Sequence, residues 1–182
     1  MTPGRTVALN YAAYQIGWLA AVGGAALGWG TAGAAVAAVL TAAHVALARD
    51  RLAEVALVAV SLATGAVVES WQIGEGTYRL LEGAPARGLP PAWLLVLWAQ
   101  FATTFRFCLR DVLRRPWAAV LLGALGGPVA FLAGERLGAV VLWAPVAPGL
   151  LRLVAAWAMA LAWLSLVTRV VDARRAGPAY RV

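Results

Sequence analysis

VALNYAAYQIGWLAAVGGAALGWGTAGAAVAAVLTAAHVALA, residues Val7–Ala48, is a stretch of 42 residues in which apolar character hardly pauses. One crossing of a hydrocarbon core of roughly 30 Å uses about 20 such residues. The stretch is therefore twice as long as a single span can use. Gly28-Trp29-Gly30 and Gly33 mark its middle. Glycine accommodates a tight reversal and Trp favours the headgroup level. The segment reads as a hairpin of two membrane crossings. Its first half is expected to be an uncleaved helix rather than a cleaved leader, because Asn10, Tyr11, Tyr14 and Gln15 interrupt the run and only Arg5 precedes it.

The same pattern continues outward. Apolar stretches bounded by Arg, Pro or Gly fall at about 7–29, 31–48, 52–73, 91–109, 117–134 and 149–170. Pro91 and Pro116 open the fourth and fifth, where proline is tolerated in a first helical turn. The composition agrees: 63% of the 182 residues are hydrophobic and 13% charged, against about 25% charged in soluble domains. The expected fold class is all-α, a single transmembrane domain over 1–182 built as a compact bundle of about six helices. Soluble-enzyme, disordered and nucleic-acid-binding classes are set aside. A net charge of +7 is carried by 15 arginines without lysine, in short clusters between spans rather than in one basic run. Six crossings with an inside N-terminus place eleven arginines inside and four outside. Positive residues resist translocation, so both termini are expected in the cytoplasm.

No loop is long enough to fold alone. Loop 74–90 is expected along the outer surface with a helical turn at most. The stretch 137–148, with Pro145 and Pro148, is expected to be interfacial or re-entrant. Helix association in lipid relies on close backbone approach and interhelical hydrogen bonds. Gly24-x-x-x-Gly28 and Gly134-x-x-x-Gly138 suit the first, and Gly123 to Pro128 is a site of tight packing or of a broken helix. Trp29, Trp71, Trp93, Trp117 and Trp143 fall near expected helix ends as interface anchors.

Polar residues at membrane depth form the candidate sites, since they are costly there and face the bundle interior. At about 1.5 Å per residue, Asn10, His44, Glu54 and Arg106 share a shallow layer on the cytoplasmic side. Gln15, Gln100, Thr103, Thr41 and Ser61 lie nearer the middle, as a hydrogen-bonded seam. Glu69 lies some 27 Å along the third helix from Arg51, near the outer boundary. Glu69, Glu54 and His44 are the candidate catalytic groups, because carboxylates and one imidazole are the acid/base side chains available. Asn10, Gln15, Gln100, Thr103 and Arg106 are candidate binding residues. No P-loop, Rossmann fingerprint, G-x-S-x-G or H-E-x-x-H occurs. One His without clustered Cys argues against a metal site, and no cofactor is expected. Cys108 has no intramolecular disulfide partner and reads as a small buried hydrophobe.

Pro91-Ala-Trp93, Leu97-Trp98-x-x-Phe101-Ala102-Thr103-Thr104, Leu122-Gly123-x-x-Gly126-Gly127-Pro128 and Leu137-Gly138-Ala139 occur in order. Together with Asn10, Glu54 and the Gly65-x-x-x-Glu69 step, they resemble a bacterial inner-membrane family known as domain of unknown function 2878. The resemblance implies a multi-pass protein of the bacterial inner (cytoplasmic) membrane and no established activity. It also implies an association with fatty-acid modification. Three readings stand open. One is an accessory component of membrane lipid or fatty-acid modification, with membrane lipids and a membrane-associated protein, or a second copy, as partners. The others are a lipid-active intramembrane enzyme and a small-solute or lipid carrier using Glu69 and Gln100.

Overall fold

The computed structural model describes residues 3–81, 89–142 and 146–175. Glu82, Arg87, Trp143, Pro145 and Arg181 lie outside them. The described chain runs α1 (Pro3–Ala26), α2 (Gly30–Leu47), α3 (Arg51–Gly74), β1 (Tyr78–Leu80), α4 (Ala92–Ala102), α5 (Arg110–Leu113), α6 (Pro116–Leu137), β2 (Val140–Leu142) and α7 (Val146–Arg175). It is a helical protein with one small ribbon. Four helices, α2, α3, α6 and α7, are long and apolar enough to cross a membrane. Leu19, Val39, Val67, Leu125, Val129 and Met159 on these helices and on α1 are each more than half exposed. A side-chain surface of that kind suits acyl chains rather than water.

The reversal at the middle of the opening stretch is present. Gly28 takes φ +78°, a left-handed conformation that glycine adopts without a Cβ penalty. The Trp29 N–H bonds back to the Gly24 carbonyl at 2.7 Å, and α2 starts at Gly30. Gly28 is thus a turn residue and does not pack with Gly24 as a helix-face pair. Gly24 meets Gly33 across the hairpin instead, and a Cβ on Gly33 would stand 2.1 Å from the Ala20 carbonyl oxygen. Since that neighbour is backbone, Gly33→Ala is expected to push α1 and α2 apart at a cost of about 1–3 kcal/mol. A lower melting temperature of the detergent-solubilised protein checks it, with Gly23→Ala, which meets nothing within 4 Å, as the silent control. Gly138 likewise ends α6 at φ +86°, so the Gly134 spacing marks a helix stop.

Two expected elements differ. The fourth span is not one helix from 91 to 109. α4 stops at Ala102 after 11 residues, about 16 Å at 1.5 Å per residue. Residues 103–109 continue as tight turns, with Thr103, Thr104 and Phe105 N–H bonding to carbonyls three residues back. The Thr103 and Thr104 hydroxyls donate to the carbonyls of Gln100 and Phe101 at 2.7 and 2.6 Å. Both therefore compete for the acceptors that would have carried the helix onward. By contrast α6 passes through Pro128 without a break, so Gly123 and Gly127 are packing residues. Their Cβ positions would meet the Trp157 carbonyl and ring at 2.2 Å.

The two loops expected to lie separately at one end pair with each other. β1 and β2 are antiparallel, with Tyr78 opposite Leu142 and Leu80 opposite Val140. Loop 74–90 supplies a strand where a helical turn was expected, and the apolar stretch after Leu137 supplies its partner. Pro148 falls in the first turn of α7, where its missing donor is not needed. Below the ribbon, one core cluster gathers Val22, Tyr78, Trp93, Phe131, Val140 and Leu153. A second, toward α5, gathers Leu57, Trp98, Phe105, Leu113, Leu161 and Leu164. α4 sits between α1, α2 and α3, while α6 packs mainly on α7.

Candidate functional site

At the α5 end, the polar layer closes on one carboxylate. Glu54 is 2% exposed. Its Oε1 accepts from Arg106 Nη1 at 3.1 Å and its Oε2 faces His44 Nε2 at 3.1 Å. Arg106 does not simply reach for the surface. Its Nε pairs with Asp172 at 2.9 Å and its Nη2 approaches Asp50 at 3.8 Å. Arg175 adds a further contact to Asp50 at 3.6 Å. The planar guanidinium suits this work because it presents several donors in fixed directions. Asp50 also caps α3 by accepting the Ala53 N–H. The cluster thus ties the α2–α3 corner, the turns after α4 and the last turns of α7 together. Phe107 packs edge-on against the His44 ring with centroids 5.0 Å apart.

The middle seam is partly interhelical. Asn10 Nδ2 donates to the Thr103 carbonyl at 2.9 Å, and Asn10 Oδ1 accepts from the Cys108 N–H at 3.5 Å. One side chain of α1 therefore holds both sides of the α4 break. Gln100 Nε2 donates to the Ala13 carbonyl at 3.1 Å, and Ser61 Oγ to the Trp98 carbonyl at 2.7 Å. Thr41 bonds to Ala37 in its own helix, and Gln15 to the Tyr11 hydroxyl.

Toward the ribbon, Glu69 is 0% exposed, enclosed within the fold rather than at an open interface. Trp98 Nε1 donates to its Oε1 at 2.9 Å, and the Tyr78 hydroxyl donates to its Oε2. Burial first, and then the charge of Glu69, pushes the Tyr78 phenol well above its ordinary value. Tyr78 therefore stays protonated and remains a donor. Gly65 explains the spacing noted in the sequence. One turn before Glu69, it leaves room for the Trp98 ring, which a Cβ there would meet at 2.2 Å. Trp98 in turn stacks on Trp157 at 4.5 Å, and Gly127 makes the matching room on α6. Trp93, expected at the interface, is 4% exposed and sits in the core, whereas Trp29, Trp71 and Trp117 are exposed.

Glu69 opens on a cavity of about 310 Å³. Its wall is mainly apolar and aromatic, with Trp18 on α1, Phe101 in α4, Leu122 and Phe131 on α6, and Trp157 and Leu161 on α7. Tyr11, Tyr14, Gln15, Thr104 and Cys108 also face it. Glu54, His44, Arg106 and Gln100 do not line it. The candidate residues therefore divide into an ion cluster and a separate carboxylate-bearing cavity. Arg106 and Cys108 both belong to the turns after α4, which are tied to the cluster on one side and border the cavity on the other. Among the described residues, no three His, Cys, Asp or Glu side chains are grouped so as to hold a metal ion.

A family model described as Protein of unknown function (DUF2878) matches residues 7–163. The chain belongs to the DUF2878 family. No curated protein and no solved structure matches it. The match covers α2 to α6 in full and most of α1 and α7, so both polar sites of this DUF2878 protein fall inside the family region except Asp172 and Arg175. Tyr78, Trp98, Trp157, Asp50 and Asp172 had no place among the sequence-derived candidates. Trp98 and Asp50 carried a local signal, in the Leu97-Trp98-x-x-Phe101 string and the helix-capping position. Tyr78, in a short loop, carried none.

Proposed function

We propose that this DUF2878 protein crosses the bacterial inner membrane six times with both termini in the cytoplasm. It holds a membrane lipid in the Glu69 cavity, as an accessory component of lipid or fatty-acid modification. The observation that carries the reading is the cavity itself. It is an apolar, aromatic space between membrane-type helices with one buried carboxylate in its wall, the pattern of a small-molecule site with few polar groups. Arginine placement supports the orientation, since Arg49, Arg51, Arg106, Arg110, Arg114, Arg115 and Arg169 all belong to the α5 end. The turns after Ala102 complete the fourth crossing, with Asn10 satisfying the backbone there.

A second reading, a lipid-active enzyme, is favoured by one detail. Glu69, on the cavity wall, is hydrogen-bonded by the Tyr78 hydroxyl behind it, which pairs an acid/base carboxylate with a proton donor. Lipid profiling separates the two. Deleting the gene is expected to change the membrane lipid profile, and Glu69→Gln, which keeps an acceptor oxygen, is expected to restore at least about half of the wild-type pattern. Restoration equal to wild type by Glu54→Gln is expected alongside it. A Glu69→Gln profile identical to the deletion selects the enzyme, and an unchanged profile on deletion overturns both.

A further inference from the structure

The cavity wall carries a chemical selection that the presence of a lipid alone does not specify. Among the described residues that line the cavity, Glu69 is the one acid, and no Lys, Arg or His accompanies it. An anionic headgroup would lose its water beside a carboxylate with no cation to pair it, which is unfavourable twice over. The same wall carries two donors without acceptors among the described residues. The indole Nε1 atoms of Trp93 and Trp157 are buried and have no hydrogen-bond partner among the described residues, and both residues are among those lining the cavity. An indole N–H can only donate, and a buried donor left unpaired is costly. Trp157 is held between its stack on Trp98 and the surface of Gly127, so its ring is not free to swing toward another element. What would satisfy both indoles is an acceptor oxygen from a ligand. The volume of about 310 Å³ lies at the small end of ligand pockets, roughly 300–1,000 Å³. It accommodates one chain and a compact polar group rather than the body of a two-chain phospholipid.

We infer that the cavity is a binding site for an uncharged, single-chain lipid bearing an ester-type carbonyl oxygen, which accepts from the indoles of Trp157 and Trp93. The chain lies against Phe101, Leu122, Phe131 and Leu161. This rests on the reading that the cavity holds a lipid, and it names the class.

The full chain in nanodiscs is titrated with three probes of equal chain length: an alkane, a fatty acid methyl ester and an alkyl phosphate. Binding is read by native mass spectrometry. The ester is expected to bind about tenfold more tightly than the alkane, as two modest hydrogen bonds allow, and the phosphate more weakly than either. Trp157→Phe and Trp93→Phe are each expected to weaken ester binding more than alkane binding and so bring the ester toward the alkane, a change in ratio that a general loss of folding would not produce. Equal binding of all three probes overturns the selectivity and leaves the lipid reading standing, as does a phosphate that binds tightest. Failure of every chain to bind overturns both.

Discussion

Arg106→Leu is expected to produce a large loss of stability, of about 3–5 kcal/mol, the range found when one partner of a buried ion pair is removed. The cause is Glu54, which is 2% exposed and would be left with His44 beside it in place of the guanidinium. Asp172 would lose its 2.9 Å partner as well, but being more exposed it can turn to water. At about 2–4 °C per kcal/mol for a chain of this length, the melting temperature should fall by roughly 10 °C. Arg106→Leu combined with Glu54→Gln should recover more than half of that fall, because the stranded charge is then gone. Arg106→Lys should fall between the two, since an ammonium cannot present the same fork to three carboxylates. A single variant that melts within about 2 °C of wild type would show that the cluster contributes nothing.

Glu69→Leu is expected to cost about 2–6 kcal/mol, one to three for each of the two donors it strands. The Trp98 indole and the Tyr78 hydroxyl both end on this carboxylate, and both residues are 2% exposed. Glu69→Gln should cost less, because the amide oxygen keeps one acceptor while its NH₂ opposes the other donor. The two substitutions therefore separate loss of hydrogen bonding from loss of charge. Thermal melts followed by near-ultraviolet circular dichroism suit this test, because the Trp98–Trp157 stack depends on the same anchor. A Glu69→Leu protein with an unaltered aromatic spectrum and melting point would contradict the geometry.

Much of the fold was legible along the chain. The hairpin break at Gly28 was readable because glycine's left-handed freedom is a property of one residue and its neighbours. The starts of α2, α3 and α6 lie within a residue of the expected ones for a similar reason, since apolar runs and Pro or Gly boundaries are local. The break in α4 was not readable. Residues 91–109 are as apolar as a helix requires, and what stops the helix is Thr103 and Thr104 taking carbonyls while Asn10, 93 residues away, takes another. The ribbon was missed because two three-residue strands have no periodicity of their own and exist only by pairing.

The site divides along the same line. Sequence by itself determined that Glu54, Glu69, His44 and Arg106 sit among apolar residues, and hence that each needs a partner inside the bundle. Only the tertiary structure decided which partner each has. Glu54, His44 and Arg106 share one cluster, whereas Glu69 stands apart on a cavity wall, held by Trp98 and Tyr78. The physical reason is that desolvation acts on a residue wherever lipid or protein surrounds it and can be read from its neighbours in the chain. A hydrogen bond needs a donor within about 3 Å, and across helices only packing brings one there.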